Sequence, residues 1–201
     1  MKIWCIIPAR NEAKNIGQVV AAVKPYVQEV IVVNDGSTDQ TGLIAANQGA
    51  IVLRHVVNRG QGAALRTGSY YSLQRSQDSG DIIVHFDADG QMRAEDIAVV
   101  SAPLISGQAE IVFGSRFLNK TTKLPWLKKW VIMPLARLTN RLLFNIRLTD
   151  PQSGFRAFTV TAGRRLDWQQ DGMAHCSEIL NLAHNLKLKI QEAPITVLYH
   201  Q

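Results

Sequence analysis

The chain is 201 residues long and 46% hydrophobic, with two cysteines and 22 basic against 16 acidic residues, a formal net charge of +6. A chain of that size forms one domain with a full core and needs no disulfide or metal to hold it, and two distant cysteines give no sign of an oxidising compartment. Charges or prolines interrupt every apolar run, so no membrane span is expected, and the first apolar segment stops at Pro8, too short for a signal peptide.

The first half alternates strand and helix patterns. Residues 3–7 read as a strand, with Cys5 as a small buried hydrophobe, and 13–23 as a helix. Residues 29–34 read as a second strand. Ser37 and Gln40 have capping-box spacing, which predicts a helix from Ser37 to near Gly49. A short strand at 51–54, a helix at 62–76, an apolar strand at 82–86, a helix at 94–105 and a strand at 111–113 follow. This alternation predicts an α/β fold: a parallel sheet with right-handed crossovers and helices on both faces. Further on, 153–160 reads as strand-like, 176–186 as a helix and 187–198 as extended.

A basic stretch interrupts the pattern. Eight of the 22 basic residues, and none of the 16 acidic ones, fall within residues 116–149. The positive charge is therefore a local patch on a mildly acidic body. Pro125 and Pro134 each suit the first turn of a short helix. Trp126 and Trp130 share a face of the first. In the second, Leu135, Leu138, Leu142, Leu143 and Ile146 form an apolar stripe, with Arg137, Arg141 and Asn145 away from it. Two readings stand: a helix pair packed on the core, or interfacial helices beside anionic lipid. The chain is expected to be one domain over 1–201, with 117–147 as a basic amphipathic insertion.

Three strands end in chemistry-bearing residues: Pro8-Ala9-Arg10-Asn11-Glu12, Asn34-Asp35-Gly36-Ser37 and Asp87-Ala88-Asp89. In a parallel sheet all three ends share one edge, where open α/β sheets bind ligands. Asp87 and Asp89, with the amide of Gln91, offer hard oxygen ligands that suit Mg²⁺ or Mn²⁺ better than zinc. The same residues also suit a plain acidic turn closing a strand. Asp35 can accept hydrogen bonds from a base or ribose, or shape a turn. Arg59-Gly60-Gln61-Gly62-Ala63-Ala64 is a poor phosphate loop, lacking both the third glycine of the dinucleotide fingerprint and a Walker lysine, and reads better as a helix start where small residues allow close approach.

Taken in order, Pro8-Ala9-Arg10-Asn11-Glu12, Val33-Asn34-Asp35-Gly36-Ser37, Asn58-Arg59-Gly60-Gln61-Gly62, Asp87-Ala88-Asp89-Gly90-Gln91, Gly114-Ser115-Arg116-Phe117 and Ser153-Gly154-Phe155-Arg156 resemble the family-2 inverting glycosyltransferases. Within that family the chain is most similar to the dolichyl- and polyprenyl-phosphate mannosyl- and glucosyltransferases. The resemblance implies the GT-A nucleotide-diphospho-sugar transferase fold, Rossmann-like, with a mostly parallel sheet. It implies a nucleotide sugar donor of GDP-mannose or UDP-glucose type and a polyprenyl or dolichyl phosphate acceptor. Donor contacts fall to Pro8, Ala9, Arg10, Glu12, Asp35, Gly62, Asp87 and Ala88, and the metal, Mg²⁺ or Mn²⁺, to Asp87, Asp89 and Gln91. Arg116, Ser153 and Arg156 take the acceptor phosphate, with Asp89, Arg116 and Arg156 as the catalytic set. The basic stretch matches interface helices on an anionic membrane surface, which places the enzyme peripherally at the cytoplasmic face. No nucleic acid partner is expected.

One feature of the pattern agrees with a phosphate acceptor. A sugar hydroxyl needs a base to remove its proton, and no Glu-Asp pair lies between Asp150 and Glu192. A phosphate monoester, with a second pKa near ~6, is already an anion and needs fixed positive charge instead. The Gln-x-x-Arg-Trp signature of processive synthases is missing, as is the Gly-x-Gly-Thr-Arg signature of nucleotidyltransferases. Two departures stand out: relatives usually continue past the position of Gln201, which suggests a truncated or minimal form, and Met92-Arg93-Ala94 replaces a proline-containing stretch. The competing readings are a soluble glycan acceptor and a non-catalytic nucleotide-sugar-binding fragment.

Overall fold

The computed structural model describes residues 1–118 and 148–198. The expected helices of the basic stretch lie outside the described residues. Among the described residues seven strands form one sheet in the order β3-β2-β1-β4-β6-β5-β7. In chain order the elements are β1 (Ile3–Ala9), α1 (Ile16–Val23), β2 (Glu29–Asp35), α2 (Thr41–Asn47), β3 (Ile51–His55), α3 (Gln61–Arg75) and β4 (Ile82–His85). Then come α4 (Asp96–Ile105), β5 (Ile111–Ser115), β6 (Arg156–Thr159), the single turn α5 (Val160–Gly163), α6 (His175–Asn185) and β7 (Ile190–Pro194). Among the described residues no helix is long and apolar enough to cross a membrane.

Side chains alternate across the sheet, as the period of two requires. Cys5, Ile7, Val30, Val32 and Val84 face α1 and α4, where Val20, Val23, Ile97 and Val100 meet them. Trp4, Ile6, Ile31, Val33 and Ile83 face the other way, toward Ala64 and Leu65 of α3 and Ile179 of α6. Both faces are covered, which is why the strands read as unbroken apolar runs. Burial in the first of these layers pushes the Cys5 thiol pKa far above its usual range, so Cys5 is an inert core residue.

The sheet is mostly parallel, as the resemblance implied. The exception is β6, which runs antiparallel to both β4 and β5. The cause is where the chain re-enters. It leaves at the C-terminal end of β5 and returns at 148–155 on the same edge, so the next strand must run back. Gly114 N donates to Phe155 O at 2.8 Å across this return. One expectation needs correction: the helix predicted to start at Ser37 starts at Thr41, with no cap from the Ser37 side chain. Ser37 Oγ instead accepts from Asn11 N, and Asp39 accepts from Ala13 N. Residues 37–40 clasp the loop after β1, while Asp39 Oδ1 also accepts from Thr41 N at the start of α2.

Helix α3 lies close on β1. A Cβ at Gly68 would stand 2.3 Å from Ile6 Cγ2 and 3.1 Å from Val33 Cγ2. Helix propensity alone predicts that Gly68→Ala gains about 1 kcal/mol. Overpacking against the sheet is expected to outweigh this and leave a net loss of about 1–3 kcal/mol, read as a lower urea midpoint. A raised midpoint would contradict this packing of α3 on β1.

Candidate active site

Strands β1, β2 and β4 are mutually parallel through β1, with Ile6 opposite both Ile31 and His85. Their C-terminal ends therefore open on one edge, as the sequence pattern implied. A cleft of about 600 Å³ lies there, lined by Pro8, Ala9, Arg10, Glu12, Asp35, Asp87, Ala88 and Asp89, joined by Asn58 and Gln61. A second pocket of about 170 Å³ adjoins it, lined by Asp87, Asp89, Gln91, Arg116, Ser153 and Cys176. The Asp87–Asp89 turn stands between the two and belongs to both.

The loop after β1 is held open from the side. Asn11 adopts a left-handed backbone conformation, φ 56°, which asparagine tolerates better than most residues. Its Oδ1 accepts from Thr38 N at 2.9 Å, and Glu12 N donates to Thr41 Oγ1 at 2.8 Å. These bonds fix the backbone of 10–12 and leave Arg10 exposed at the rim.

Asp35 is 4% exposed, and both its oxygens are engaged. Oδ1 meets His55 Nδ1 at 2.7 Å and accepts from Arg59 N at 2.9 Å; Oδ2 accepts from Gly60 N at 2.8 Å. His55 Nε2 in turn meets Thr67 Oγ1 of α3. Asp35 lines the cleft, but its first task is to anchor the 56–60 loop at the start of α3.

At the end of β4, Asp87 packs closely. A Cβ at Gly154 would lie 2.8 Å from Asp87 Oδ2, so only glycine admits this approach. Asp87 Oδ1 accepts from Gln61 Nε2 at 2.9 Å. Loss of solvent and then the charge of Asp89 push the Asp87 pKa up to about 6, against the opposing influence of Arg156 and Gln61. Asp89 Oδ1 accepts from Gln91 N at 2.9 Å, closing the turn over Gly90, φ 75°. Neither carboxylate is in an ion pair among the described residues. Nor do three or more His, Cys, Asp or Glu gather at one point among them. Two carboxylates with a nearby amide form a partial shell of hard oxygens. It fits an ion such as Mg²⁺ or Mn²⁺ that keeps waters and takes phosphate oxygens.

The basic residues fall in two places. Arg116 lines the smaller pocket and forks onto Asp150, Nε to Oδ2 at 2.7 Å and Nη2 to Oδ1 at 2.9 Å. Ser153 lines the same pocket. Arg156 does not reach its surface: it is fully buried behind the wall. Its Nη2 donates to Ser153 O at 3.1 Å and to Cys176 Sγ at 3.0 Å, while Nε and Nη1 have no hydrogen-bond partner among the described residues. Gly62 also lies away from the cleft. A Cβ there would meet Gln170 O at 2.1 Å, so its role is to let residues 170–171 pack on the start of α3.

The model of the family described as Glycosyl transferase family 2 matches residues 4–166. The chain belongs to that family. It is 37% identical over 220 residues to a UDP-N-acetylglucosamine–dolichyl-phosphate N-acetylglucosaminyltransferase of Methanococcus voltae, over 98% of this chain and 86% of that one. It is 36% identical over 203 residues to uncharacterized protein MJ1222 of Methanocaldococcus jannaschii, over 98% and 82% of the two chains. Glucosyl-3-phosphoglycerate synthase of Mycobacterium tuberculosis, solved in complex with Mn²⁺, UDP-glucose and phosphoglyceric acid, superposes with a TM-score of 0.72 at 22% identity, over 100% of this chain and 72% of that one. The fold is that of the GT-A glycosyltransferases, and the protein is a glycosyltransferase.

Several residues at this glycosyltransferase site escape a reading along the chain. Met173 and Gly172 reach the cleft from far downstream. They are brought there because Ala63 N donates to Asp171 O, and Trp168 Nε1 donates to Gly62 O. The fully buried His85 and His175 flank Arg156 from within. Burial and then the Arg156 charge hold His175 down at about 4 and His85 well below its usual value, so both are neutral at physiological pH.

Asp35→Asn sets an amide N–H₂ where three donors converge. The expected result is a loss of about 1–3 kcal/mol in unfolding free energy, read from urea denaturation. Unchanged stability with lost nucleotide binding would show Asp35 to be a ligand contact only.

Proposed function

We propose that this glycosyltransferase moves a hexose from a nucleotide diphosphate sugar, of GDP-mannose or UDP-glucose type, to a polyprenyl or dolichyl phosphate, with inversion at the anomeric carbon. The observation that carries the reading is the division of charge across the Asp87–Asp89 turn. One side is a cleft large enough for a nucleotide. The other is a small pocket bearing Arg116 and Ser153, with the Arg156 guanidinium buried behind it. The Methanococcus voltae relative, by its name, uses a UDP-sugar and dolichyl phosphate, which supports the same pairing here.

In this reading Pro8, Ala9, Arg10, Glu12 and Asp35 line the nucleoside end of the cleft. Asp87 and Asp89, with Gln91, hold a divalent ion, in keeping with the Mn²⁺ and UDP-glucose of the solved neighbour. Such an ion supplies positive charge to the diphosphate as it leaves. Arg116 and the Ser153 hydroxyl hold the acceptor phosphate in the smaller pocket, and Arg156 contributes fixed charge from behind Ser153. A phosphate oxygen attacks C1 on the face opposite the diphosphate. The new C1–O bond forms as the C1–O bond to the diphosphate breaks. No proton has to move, because the acceptor oxygen is already an anion. Asp150, the further carboxylate beside the pocket, has both oxygens on Arg116 and is a poor base. The basic segment 123–147, outside the described residues, docks on an anionic bilayer at the cytoplasmic face and brings the lipid within reach.

The metal assignment is tested by Mn²⁺ binding and turnover together. Asp87 must lose its proton to bind an ion. Mn²⁺ affinity, followed by the EPR signal of the free ion, is expected to be level above about pH 6 and to fall roughly tenfold per unit below it. Asp89→Ala is expected to lower kcat at least about a hundredfold with an unchanged melting temperature. Wild-type turnover in that variant, or Mn²⁺ affinity that ignores pH, would remove the metal from this turn.

A further inference from the structure

Glu192 lies on β7, at the edge of the sheet, and lines neither pocket. Yet one of its oxygens collects three hydrogen bonds. Oε1 accepts from Thr149 N at 2.7 Å, Thr149 Oγ1 at 2.9 Å and Asp150 N at 3.1 Å. The direction of the chain that ends there is set by chemistry. A carboxylate only accepts, so the Thr149 hydroxyl donates to it. Ser115 Oγ, 2.6 Å from Thr149 Oγ1, must then donate to Thr149, and it accepts in turn from Phe117 N at 3.2 Å. A single carboxylate therefore ties together residues 115–117 and 149–150, on either side of the basic segment in sequence. Asp150, held through its N–H by Glu192, presents its carboxylate to Arg116 as a two-point fork. A fork fixes the plane of a guanidinium as well as its position.

We propose that Glu192 is a positioning residue of the transfer reaction, orienting Arg116 toward the smaller pocket through the Thr149–Asp150 turn. The inference rests on the reading of Arg116 as a phosphate-side residue. Glu192 touches no reactant; it determines where Arg116 points. Without it, Thr149 and Asp150 lose a common acceptor, the fork tilts and charge meets the phosphate at the wrong angle. Misplacement of about 1 Å costs on the order of a hundredfold in rate. The nucleotide cleft, on the far side of the Asp87–Asp89 turn, keeps its geometry.

The test uses the full chain with polyprenyl phosphate, Mn²⁺ and a nucleotide sugar that the wild type accepts. Glu192→Ala is expected to lower kcat about ten- to a hundredfold, with nucleotide affinity within about twofold of wild type. Glu192→Gln, whose amide oxygen still accepts all three bonds, is expected to retain most activity. Thr149→Val removes one of the three bonds and is expected to cost about fivefold; it carries the test if Glu192→Ala does not fold. The decisive comparison places Glu192→Ala, or Thr149→Val in its stead, in an Arg116→Gln background. If the first residue acts through Arg116, the second loss adds nothing to the first. Wild-type kcat in Glu192→Ala, equal losses of rate and nucleotide affinity, or additive losses in the double variant would overturn the proposal. Unimpaired turnover in Arg116→Gln alone would instead overturn the phosphate-side reading on which it rests.

Discussion

Burying Asp87 at the end of a packed strand, two residues from Asp89, sets up a desolvation cost and then a repulsion that the protein itself only partly offsets. Gln61 gives Asp87 one hydrogen bond and Arg156 lends charge from behind, yet the Asp87 carboxyl still sits at about 6. An acid whose folded pKa is raised keeps its full stability contribution below its ordinary pKa near 3.8 and loses it as pH rises through about 6. At neutral pH the bare fold is therefore strained at this turn. A cation held between the two carboxylates would relieve the strain. The surrounding structure serves this juxtaposition. Parallel pairing brings β1 and β2 to the same edge, Gly154 lets the 153–156 turn close beside Asp87, and the antiparallel β6 carries Arg156 beneath it.

The same arrangement separates two kinds of polar group. Those that must be fixed are consumed internally: Asp35 by His55, Arg59 and Gly60, Asp150 by Arg116, and Glu192 by the 149–150 turn. Those left short of partners, the Asp87–Asp89 pair and the inner nitrogens of Arg156, face or back the space where a diphosphate and a phosphate would meet. Neutral histidines at 85 and 175 add no further charge beside Arg156. Fixed charge of this kind needs no reorganisation during reaction and counts for more where water is excluded.

Much of this was legible along the chain because local chemistry coincided with global structure. Apolar runs closed by Pro8, Asp35 and Asp87 marked three parallel strands, and parallel strands place their ends on one edge. Other features were set by contacts that no window of sequence contains. Ser37 looked like a cap, yet its hydroxyl is used by Asn11, 26 residues upstream. Gly62 read as a helix start where small residues allow close approach, but nothing near it in sequence named residues 170–171 as what presses on it. Arg156 looked like a surface ligand, since arginine is seldom buried, and the antiparallel turn of β6 put it inside. The link from Glu192 to Asp150 spans 42 residues and two strands, with no spacing signal to announce it.

The central claim is that the acceptor brings its own anion, so that the site supplies charge and no base. The most direct measurement offers the enzyme a nucleotide sugar it uses and, in parallel, polyprenyl phosphate and the corresponding polyprenol. Transfer to the phosphate alone is expected, with NMR showing the opposite anomeric configuration to that of the donor. Comparable transfer to the free alcohol, or product of retained configuration, would contradict it.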